Sequence, residues 1–332
     1  MWQLVGWAVF CIGLFPLISM AIQTLIFLWR FCVVTELDLL SRYGAGSWVA
    51  ITGADGGMGK LFAQKFARRG FNVLLIGFER CNLVAEQIRE EYGVEARVVV
   101  KDFSKAWQPD FFVEIEDAFR ELDLSVLVNN VASRKGWIPS HSQPAEDALE
   151  TICCGTVVQA RLSQMAISKF VGRDAKLKSA VIFMTALLVF PNFGLSVPLM
   201  NTVHATFLSV YEASNAFGYF HAMSLCDEYL SPIYNGRIDM LNITPGAVVG
   251  ENTQVLLKQP FHATANRFVD QTLAFLGNVQ GAACASVVHV VAMALGSVFP
   301  LFYKNGPYSA PNTGKLIATN FMKQRGNGKI VS

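Results

Sequence analysis

Charge is scarce in this sequence. Only 16% of its 332 residues are charged, against about 25% in an average soluble protein. The formal net charge of +2 is too small to support a nucleic-acid-binding surface, so no nucleic-acid partner is expected. A hydrophobic fraction of 52% and a mean hydropathy of +0.37 indicate a large buried core together with membrane attachment.

The cysteines lack any pattern. There are seven of them, none forms a CxxC pair, and the five histidines show no metal-ligand spacing. This distribution argues against a disulfide framework and a zinc site, so we predict no metal. Free thiols in a reducing compartment are expected instead.

The N-terminus has no charge at all, since no charged side chain occurs between Met1 and Trp29. Because about 20 apolar residues span a bilayer, residues 1–32 are predicted to form an uncleaved transmembrane anchor. A signal peptide would need a basic start and a small-residue cleavage site, and this segment has neither. Arg30 and Arg42 follow the apolar run while nothing basic precedes it, which places the main body in the cytosol.

The chain after the anchor alternates short apolar runs with helical patterns. Strands that are apolar on both faces and alternate with helices indicate an α/β fold, a doubly wound parallel sheet of the Rossmann type. We therefore predict a reductase domain over residues 45–280. Strands are expected at Trp48–Thr52, Asn72–Ile76, Arg97–Val100, Ser125–Val128, Ala180–Thr185 and Arg237–Ile243, and helices near 59–70, 81–92, 110–121, 145–171 and 211–230.

Residues 281–332 differ from this domain. The stretch Gly281–Tyr303 is apolar and long enough to span a bilayer, but Gly296 and Pro300 interrupt it. A second membrane contact, a re-entrant segment and a packed core helix all stay open for it. A basic tail follows.

A glycine-rich turn joins the first strand of the domain to its first helix. The candidate cofactor contacts in it are Gly53, Asp55, Gly57, Met58 and Gly59. Glycine lets the backbone approach a pyrophosphate, and the N-terminus of the next helix supplies free N–H groups. Glycine also serves tight turns, but the strand–turn–helix context favours dinucleotide binding.

The turn, Thr-Gly-x-x-x-Gly-x-Gly, resembles the fingerprint of the short-chain dehydrogenase/reductase superfamily, and four later segments agree with it. They are Lys101-Asp102-Phe103, Asn129-Asn130-Val131-Ala132, Tyr211-Glu212-Ala213-Ser214-Asn215 and Thr244-Pro245-Gly246-Ala247-Val248. The resemblance covers residues 45–255. Gly46-Ser47-Trp48, Tyr92-Gly93-Val94-Glu95 and the anchor are similar to the membrane-bound branch, which contains the very-long-chain 3-oxoacyl-CoA reductases and 17β-hydroxysteroid dehydrogenases.

The resemblance implies NADP(H) or NAD(H) as cofactor, a lipid-like ketone or acyl-CoA as substrate, and a place in the endoplasmic reticulum membrane. Further family positions for the cofactor fall on Arg80, Asp102, Asn129, Val131, Tyr211, Asn215, Pro245, Gly246 and Val248. NADPH users commonly carry an arginine after the second strand, where this chain has Phe78. Glu79 would repel a 2′-phosphate and Arg80 would attract it, so NADP(H), NAD(H) and a loss of cofactor affinity all stay open.

The family's catalytic tetrad is Asn–Ser–Tyr–Lys, and only the tyrosine matches here. Tyr211 takes the place of the residue that protonates the carbonyl oxygen. The lysine position is Asn215, the serine position falls on Ala186, and the asparagine position falls on Gly155. The resemblance therefore implies an oxidoreductase with weakened acid–base machinery. The alternative is an inactive nucleotide-binding or scaffold member of the family in lipid metabolism. In either case a homodimer or a lipid-synthesis complex is the expected assembly.

An insertion near residues 194–206 separates the end of the fifth strand from Tyr211 and offers substitute groups. Ser196 or Thr185 could reach the carbonyl, and His204 could serve as the acid. The simpler interpretations are a solvated loop serine, a strand threonine that points away and a surface histidine.

Overall fold

The structure, a computed structural model, describes residues 33–133, 138–174, 176–186, 208–250 and 262–290, with single positions between Leu14 and Phe31. Its helices are α1 (Leu39–Tyr43), α2 (Gly57–Arg68), α3 (Cys81–Tyr92), α4 (Val113–Glu121), α5 (Ala145–Ile152), α6 (Val158–Val171), α7 (Ser209–Leu230) and α8 (Ala265–Phe275). A π-helical segment, Cys153–Val157, joins α5 to α6. The strands are β1 (Trp48–Thr52), β2 (Asn72–Gly77), β3 (Ala96–Val100), β4 (Leu124–Asn129), β5 (Ser179–Met184), β6 (Ile238–Ile243), β7 (Val248–Val249), β8 (Ala263–Thr264) and β9 (Gly281–Ala283).

Seven of these strands form one parallel sheet in the order β3-β2-β1-β4-β5-β6-β9. This is the Rossmann order with one further strand. The order in which successive strands are added reverses between β1 and β4, although all seven strands run parallel. The Rossmann-type prediction is confirmed. Ligands of such sheets bind at the carboxyl ends of the strands beside the reversal, which is where the glycine turn leaves β1.

Apolar side chains on both faces of the sheet explain why it is covered on both sides. One core packs β1, β2 and β6 against α2, α3 and α8, with Phe62, Phe66 and Phe268 fully enclosed. The other packs the opposite face against α4, α6 and α7. Alternate residues of β1 serve the two cores: Val49 belongs to the first and Ala50 to the second. This alternation is what a pleated strand with two buried faces requires.

The folded unit extends beyond both predicted limits, residues 45 and 280. Tyr43 of α1 is fully buried, and its hydroxyl donates to the carboxylate of Asp239 in β6 at 2.8 Å. At the other end, β9 pairs with β6 and Val290 is buried. Residues 281–290 are therefore part of the domain, because a strand at the sheet edge and a packed turn use their apolar side chains in its core.

No helix within the described part of the chain has the length and apolar character that a membrane crossing needs. Most of the predicted anchor, residues 1–32, lies outside the described residues. Residues 291–303 of the second apolar stretch and the basic tail also lie outside them.

Candidate active site

The glycine turn has the shape that a pyrophosphate site needs. Gly53 and Gly57 adopt positive φ angles of 64° and 54°, which glycine tolerates best. A Cβ at Gly57 would meet no atom within 4 Å, so this part of the turn is open. The helix α2 begins there with no side-chain cap, so its first N–H groups are available to an anion.

Gly59 has a different task. A Cβ on it would lie 2.1 Å from the carbonyl oxygen of Gly53 and 2.8 Å from Nδ2 of Asn130. Only glycine allows α2 to pack this closely on the end of β1, as the third glycine of the fingerprint does. Gly57 and Gly59 thus have different roles: Gly57 faces open space, whereas Gly59 allows close packing of α2 on β1.

Asn130 and Thr52 join the glycine turn to the loop after β4. The Thr52 hydroxyl accepts from the N–H groups of Asn130 and Val131 at 2.9 and 3.0 Å, and Asn130 Nδ2 donates to the Thr52 carbonyl at 2.9 Å. Asn129 instead turns into the domain, where its Nδ2 donates to the Ser163 hydroxyl of α6 at 3.0 Å. Asn129 is the predicted cofactor position, but Asn130 is the asparagine that holds the glycine turn; the doubled asparagine in the sequence offers both.

The end of β2 is acidic. Oδ1 of Asp55 lies 2.8 Å from the position a Cβ on Gly77 would occupy, so the carboxylate of the glycine turn sits directly over this strand end. Glu79 and Arg80 follow and are exposed. Burial, and secondarily the charge of Asp55, raises the pKa of the Cys81 thiol to about 12, so this cysteine is a packing residue and not a nucleophile.

Asp102 lies two residues after the end of β3, and its carboxylate is already engaged locally. Oδ1 accepts from the Ser104 N–H at 3.1 Å and from the Ser104 hydroxyl at 2.7 Å, which caps the turn that follows. The predicted cofactor contact of Asp102 is left with the other oxygen, Oδ2, which lies 3.9 Å from Lys105 Nζ.

Tyr211 lies in the first turns of α7 and is half-buried. Asn215, at the lysine position, is buried, and its Nδ2 donates to the Tyr211 backbone carbonyl at 2.8 Å. This bond commits one amide hydrogen to the helix itself. An amide also carries no charge, so it cannot stabilise a tyrosinate as a lysine would.

Ala186, at the serine position, follows β5 and is buried without a hydroxyl. The neighbouring Thr185 does not replace it. Its hydroxyl donates to Oδ1 of Asn242 at 3.0 Å inside the sheet, and its methyl group faces α7 at Gly218. The interpretation of Thr185 as a strand threonine that points away therefore matches its contacts.

Gly155 lies in the π-helical segment, against α7. A Cβ on it would be 2.9 Å from Cβ of Ser214, the residue before Asn215. The structure thus brings the predicted asparagine position next to the helix that carries Tyr211. It also shows that α7 is too close there for a larger side chain without movement.

The loop from Pro245 to Val248 is held by a residue that the sequence analysis did not assign. His289 is buried beneath it and contacts both Gly246 and Ala247. No local pattern in the sequence pointed to this role, since His289 belongs to none of the motifs. The candidate substitutes Ser196 and His204, and the insertion that contains them, lie outside the described residues.

The short chain dehydrogenase family model matches residues 47–191. Over 258 residues, 77% of this chain and 76% of the relative, the chain is 26% identical to 17-beta-hydroxysteroid dehydrogenase type 3 of Homo sapiens. It is also 26% identical to the very-long-chain 3-oxoacyl-CoA reductase of Lodderomyces elongisporus, over 81% of this chain and 75% of that protein. A shorter match, 34% over 130 residues, covers 39% of this chain and 38% of the inactive hydroxysteroid dehydrogenase-like protein 1 of Homo sapiens.

Solved structures agree on the fold. A structure from work on 7beta-hydroxysteroid dehydrogenase stereoselectivity superposes with a TM-score of 0.65 at 22% identity, over 85% of this chain and 99% of the other. A short-chain dehydrogenase from Sphingobium yanoikuyae in complex with NADPH gives 0.59 at 22% identity, over 78% and 96%. The family model over residues 47–191 and these relatives support the short-chain dehydrogenase/reductase superfamily and, within it, the branch of the 17β-hydroxysteroid dehydrogenases and 3-oxoacyl-CoA reductases.

Proposed function

We propose that this chain is a membrane-anchored NAD(P)H-dependent oxidoreductase that acts on a ketone of a lipid-like substrate, of the 3-oxoacyl-CoA or steroid type. The observation that carries the proposal is the open glycine turn at the point where the strand order reverses. When bound there, the dinucleotide supplies the hydride. The chain's own contribution is the Gly53–Gly59 turn and the N-terminus of α2 for the pyrophosphate, with Tyr211 as the proton donor.

A second candidate is an inactive member that binds nucleotide or acts as a scaffold. It is favoured by Ala186, by Gly155 and by the amide of Asn215, which bonds to its own helix. Loss of one hydrogen-bond donor to a developing oxyanion costs about 2.7–4 kcal/mol. Loss of acid–base tuning costs on the order of a hundred- to ten-thousand-fold in rate. One of the relatives is itself named as inactive.

The activity of the purified wild type with a 3-oxoacyl-CoA or a 17-ketosteroid separates the two candidates. The double substitution Ala186→Ser with Asn215→Lys tests whether the lost groups limit that activity, and it should raise the activity at least tenfold over the wild type, equivalent to about 1.4 kcal/mol of transition-state stabilisation. The measurement is oxidation of NADH and NADPH by the purified full-length protein. Tyr211→Phe in the doubly substituted chain is the control and should remove the gain.

Two results would contradict this assignment. A fully active wild type whose reductase activity is lost on Ser196→Ala would show that the insertion performs the chemistry. An active wild type that tolerates Tyr211→Phe would show that the site lies elsewhere. Adding the third group, Gly155→Asn, is not expected to help, because its Cβ would press on Ser214.

We further propose that NAD(H) binds more tightly than NADP(H). Asp55 lies over the end of β2 and Glu79 follows it, so a 2′-phosphate would meet two carboxylates, whereas a 2′-hydroxyl can donate to one. Calorimetric titration should give a dissociation constant for NAD⁺ at least about tenfold below that for NADP⁺.

The variant Asp55→Asn keeps the shape of this side chain and removes its charge, so it should reduce the difference between the dissociation constants for NAD⁺ and NADP⁺. Asp110→Asn removes the same charge from an exposed site outside the turn and should leave that difference unchanged. Tighter binding of NADP⁺ to the wild type would refute the preference and assign Arg80 the dominant role.

The proposed location is the endoplasmic reticulum membrane, with the main domain in the cytosol. The described positions of the apolar N-terminal stretch support it, since Phe15, Leu25 and Trp29 are 67%, 65% and 60% exposed and would be covered by lipid. We expect the full-length protein to stay in the pellet when microsomes are washed with alkaline carbonate, and residues 45–280 to be digested by added protease. Release by carbonate or protection of the domain would exclude this topology. We also propose that the protein forms a homodimer or takes part in a lipid-synthesis complex in that membrane.

A further inference from the structure

His289 is clamped against the loop after β6 through both of its ring nitrogens. The Gly246 N–H donates to Nδ1 at 3.2 Å, and Nε2 lies 3.1 Å from the carbonyl oxygen of Ala247. The side chain is only 1% exposed. Its backbone N–H is itself held, at 3.4 Å, by the hydroxyl of Ser286, which caps the helical turn at 287–290.

The pair of contacts defines one chemical form of the ring. Nδ1 accepts a hydrogen bond, so it has no proton, and Nε2 must carry the hydrogen that it donates to Ala247. A protonated ring would place an N–H against the Gly246 N–H. The neutral imidazole is therefore the only form that makes both contacts.

Gly246 fits this ring because it has no side chain. A Cβ there would lie 3.0–3.1 Å from three atoms of the imidazole, closer than normal packing allows. The loop is also held by β8, since the Ala247 carbonyl accepts from the Ala263 N–H at 2.9 Å and Val248 pairs with Ala263. Both β8 and His289 thus hold the loop.

We infer that His289 is a positioning residue for the nucleotide-side loop at Pro245–Val248, and that it acts as the neutral imidazole. This inference rests on the proposed function, with Pro245, Gly246 and Val248 as the predicted cofactor positions in that loop. His289 contacts the loop and is not itself expected to contact the dinucleotide. It fixes the Gly246 and Ala247 backbone, and a loop fixed in advance binds its ligand without an ordering cost.

The surroundings keep the ring neutral. Burial lowers the pKa of His289, and the charge of nearby His262 lowers it further, against the opposing effect of the Ala247 carbonyl. From α8 the ring meets Phe268, 6.0 Å away between ring centroids, while Arg267 and Asp270 of the same helix are exposed. Both ring contacts, with Gly246 and with Ala247, form fully above the ordinary histidine pKa of about 6.5. They are lost as the pH falls through the lowered pKa of His289.

The test uses the full-length protein in detergent, with the pH lowered in steps from pH 8 to the lowest pH at which the protein stays folded. Amide hydrogen exchange of Gly246, corrected for the intrinsic rate, reports the two ring contacts without any ligand, and calorimetry with NAD⁺ and NADP⁺ reports binding. In the wild type both protection and affinity should fall at least about threefold once the pH has passed below the lowered pKa of His289. His289→Ala should lose both at pH 8. His289→Gln, which keeps an acceptor and a donor but does not titrate, should restore both and remove the pH dependence.

The matched control is His221→Gln, a second histidine whose pKa burial lowers, on the side of α7 that faces α6. It should behave as the wild type. Unchanged Gly246 protection in His289→Ala, or an unaltered pH dependence in His289→Gln, would overturn the inference. Protection that follows the prediction while neither dinucleotide binds would refute the proposed function and leave the clamp as a loop-positioning device.

Discussion

Asp239→Ala should destabilise the protein by about 3–5 kcal/mol, the usual cost of removing one partner from a buried ionic cluster. Asp239 is fully buried in β6. Its carboxylate accepts from Arg42 at 2.7 and 3.1 Å, from the Tyr43 hydroxyl at 2.8 Å and from Gln280 Nε2 at 2.6 Å. Removing it leaves a guanidinium, a phenol and an amide without their acceptor.

Urea unfolding followed by circular dichroism measures this loss, which is a large share of a total stability of about 5–15 kcal/mol. Asp270→Ala is the matched control. Asp270 is half-exposed and pairs with Lys65 at 2.6 Å, so its removal should cost less than about 1 kcal/mol. Equal effects of the two substitutions would mean that the Asp239 cluster contributes no more than a surface pair.

The cluster also ties the segment before β1 to the far side of the sheet. Arg42 and Tyr43 precede β1, whereas Asp239 and Gln280 belong to or flank β6 and β9. Further contacts in the same segment are the ion pair of Glu36 with Arg69 and the rings of Phe31 and Phe275, 5.2 Å apart. An anchor upstream would therefore be joined to the domain by a docked segment and not by a free linker.

The second large effect is a contrast between two glycines of the same turn. Gly59→Ala should destabilise the fold by at least about 3 kcal/mol, because the added methyl group would sit 2.1 Å from the Gly53 carbonyl oxygen and must force α2 away from β1. Gly57→Ala should cost only about 1–2 kcal/mol for its positive φ, since nothing lies within 4 Å of the new methyl group.

Binding should show the reverse contrast. Gly57→Ala places its methyl group in the open part of the turn, where the pyrophosphate would approach, so we expect a folded protein whose dissociation constant for NAD⁺ rises at least about tenfold. Thermal unfolding and calorimetry on the same preparations measure both quantities. A folded Gly57→Ala protein with unchanged affinity would mean that the turn is structural only, and a stable Gly59→Ala protein would contradict the close packing.

The sequence by itself determined the architecture of the domain. The six predicted strands of the large sheet end within one residue of their observed limits, since strands that are apolar on both faces are short, continuous and separated by amphipathic helices. The glycine turn was equally readable, because its spacing follows from backbone geometry that only glycine satisfies. Both signals are local in the chain.

Contacts between distant parts of the chain were decided by the tertiary structure alone. The strand β9 has three residues, too few for a periodic pattern, and becomes a strand because β6 offers it an edge. Asn130, rather than Asn129, holds the glycine turn, since β4 ends with one side chain toward α6 and the next toward β1. His289 acquires its place only when the chain after β9 returns beneath Gly246, 43 residues earlier, and no local pattern encodes such a meeting.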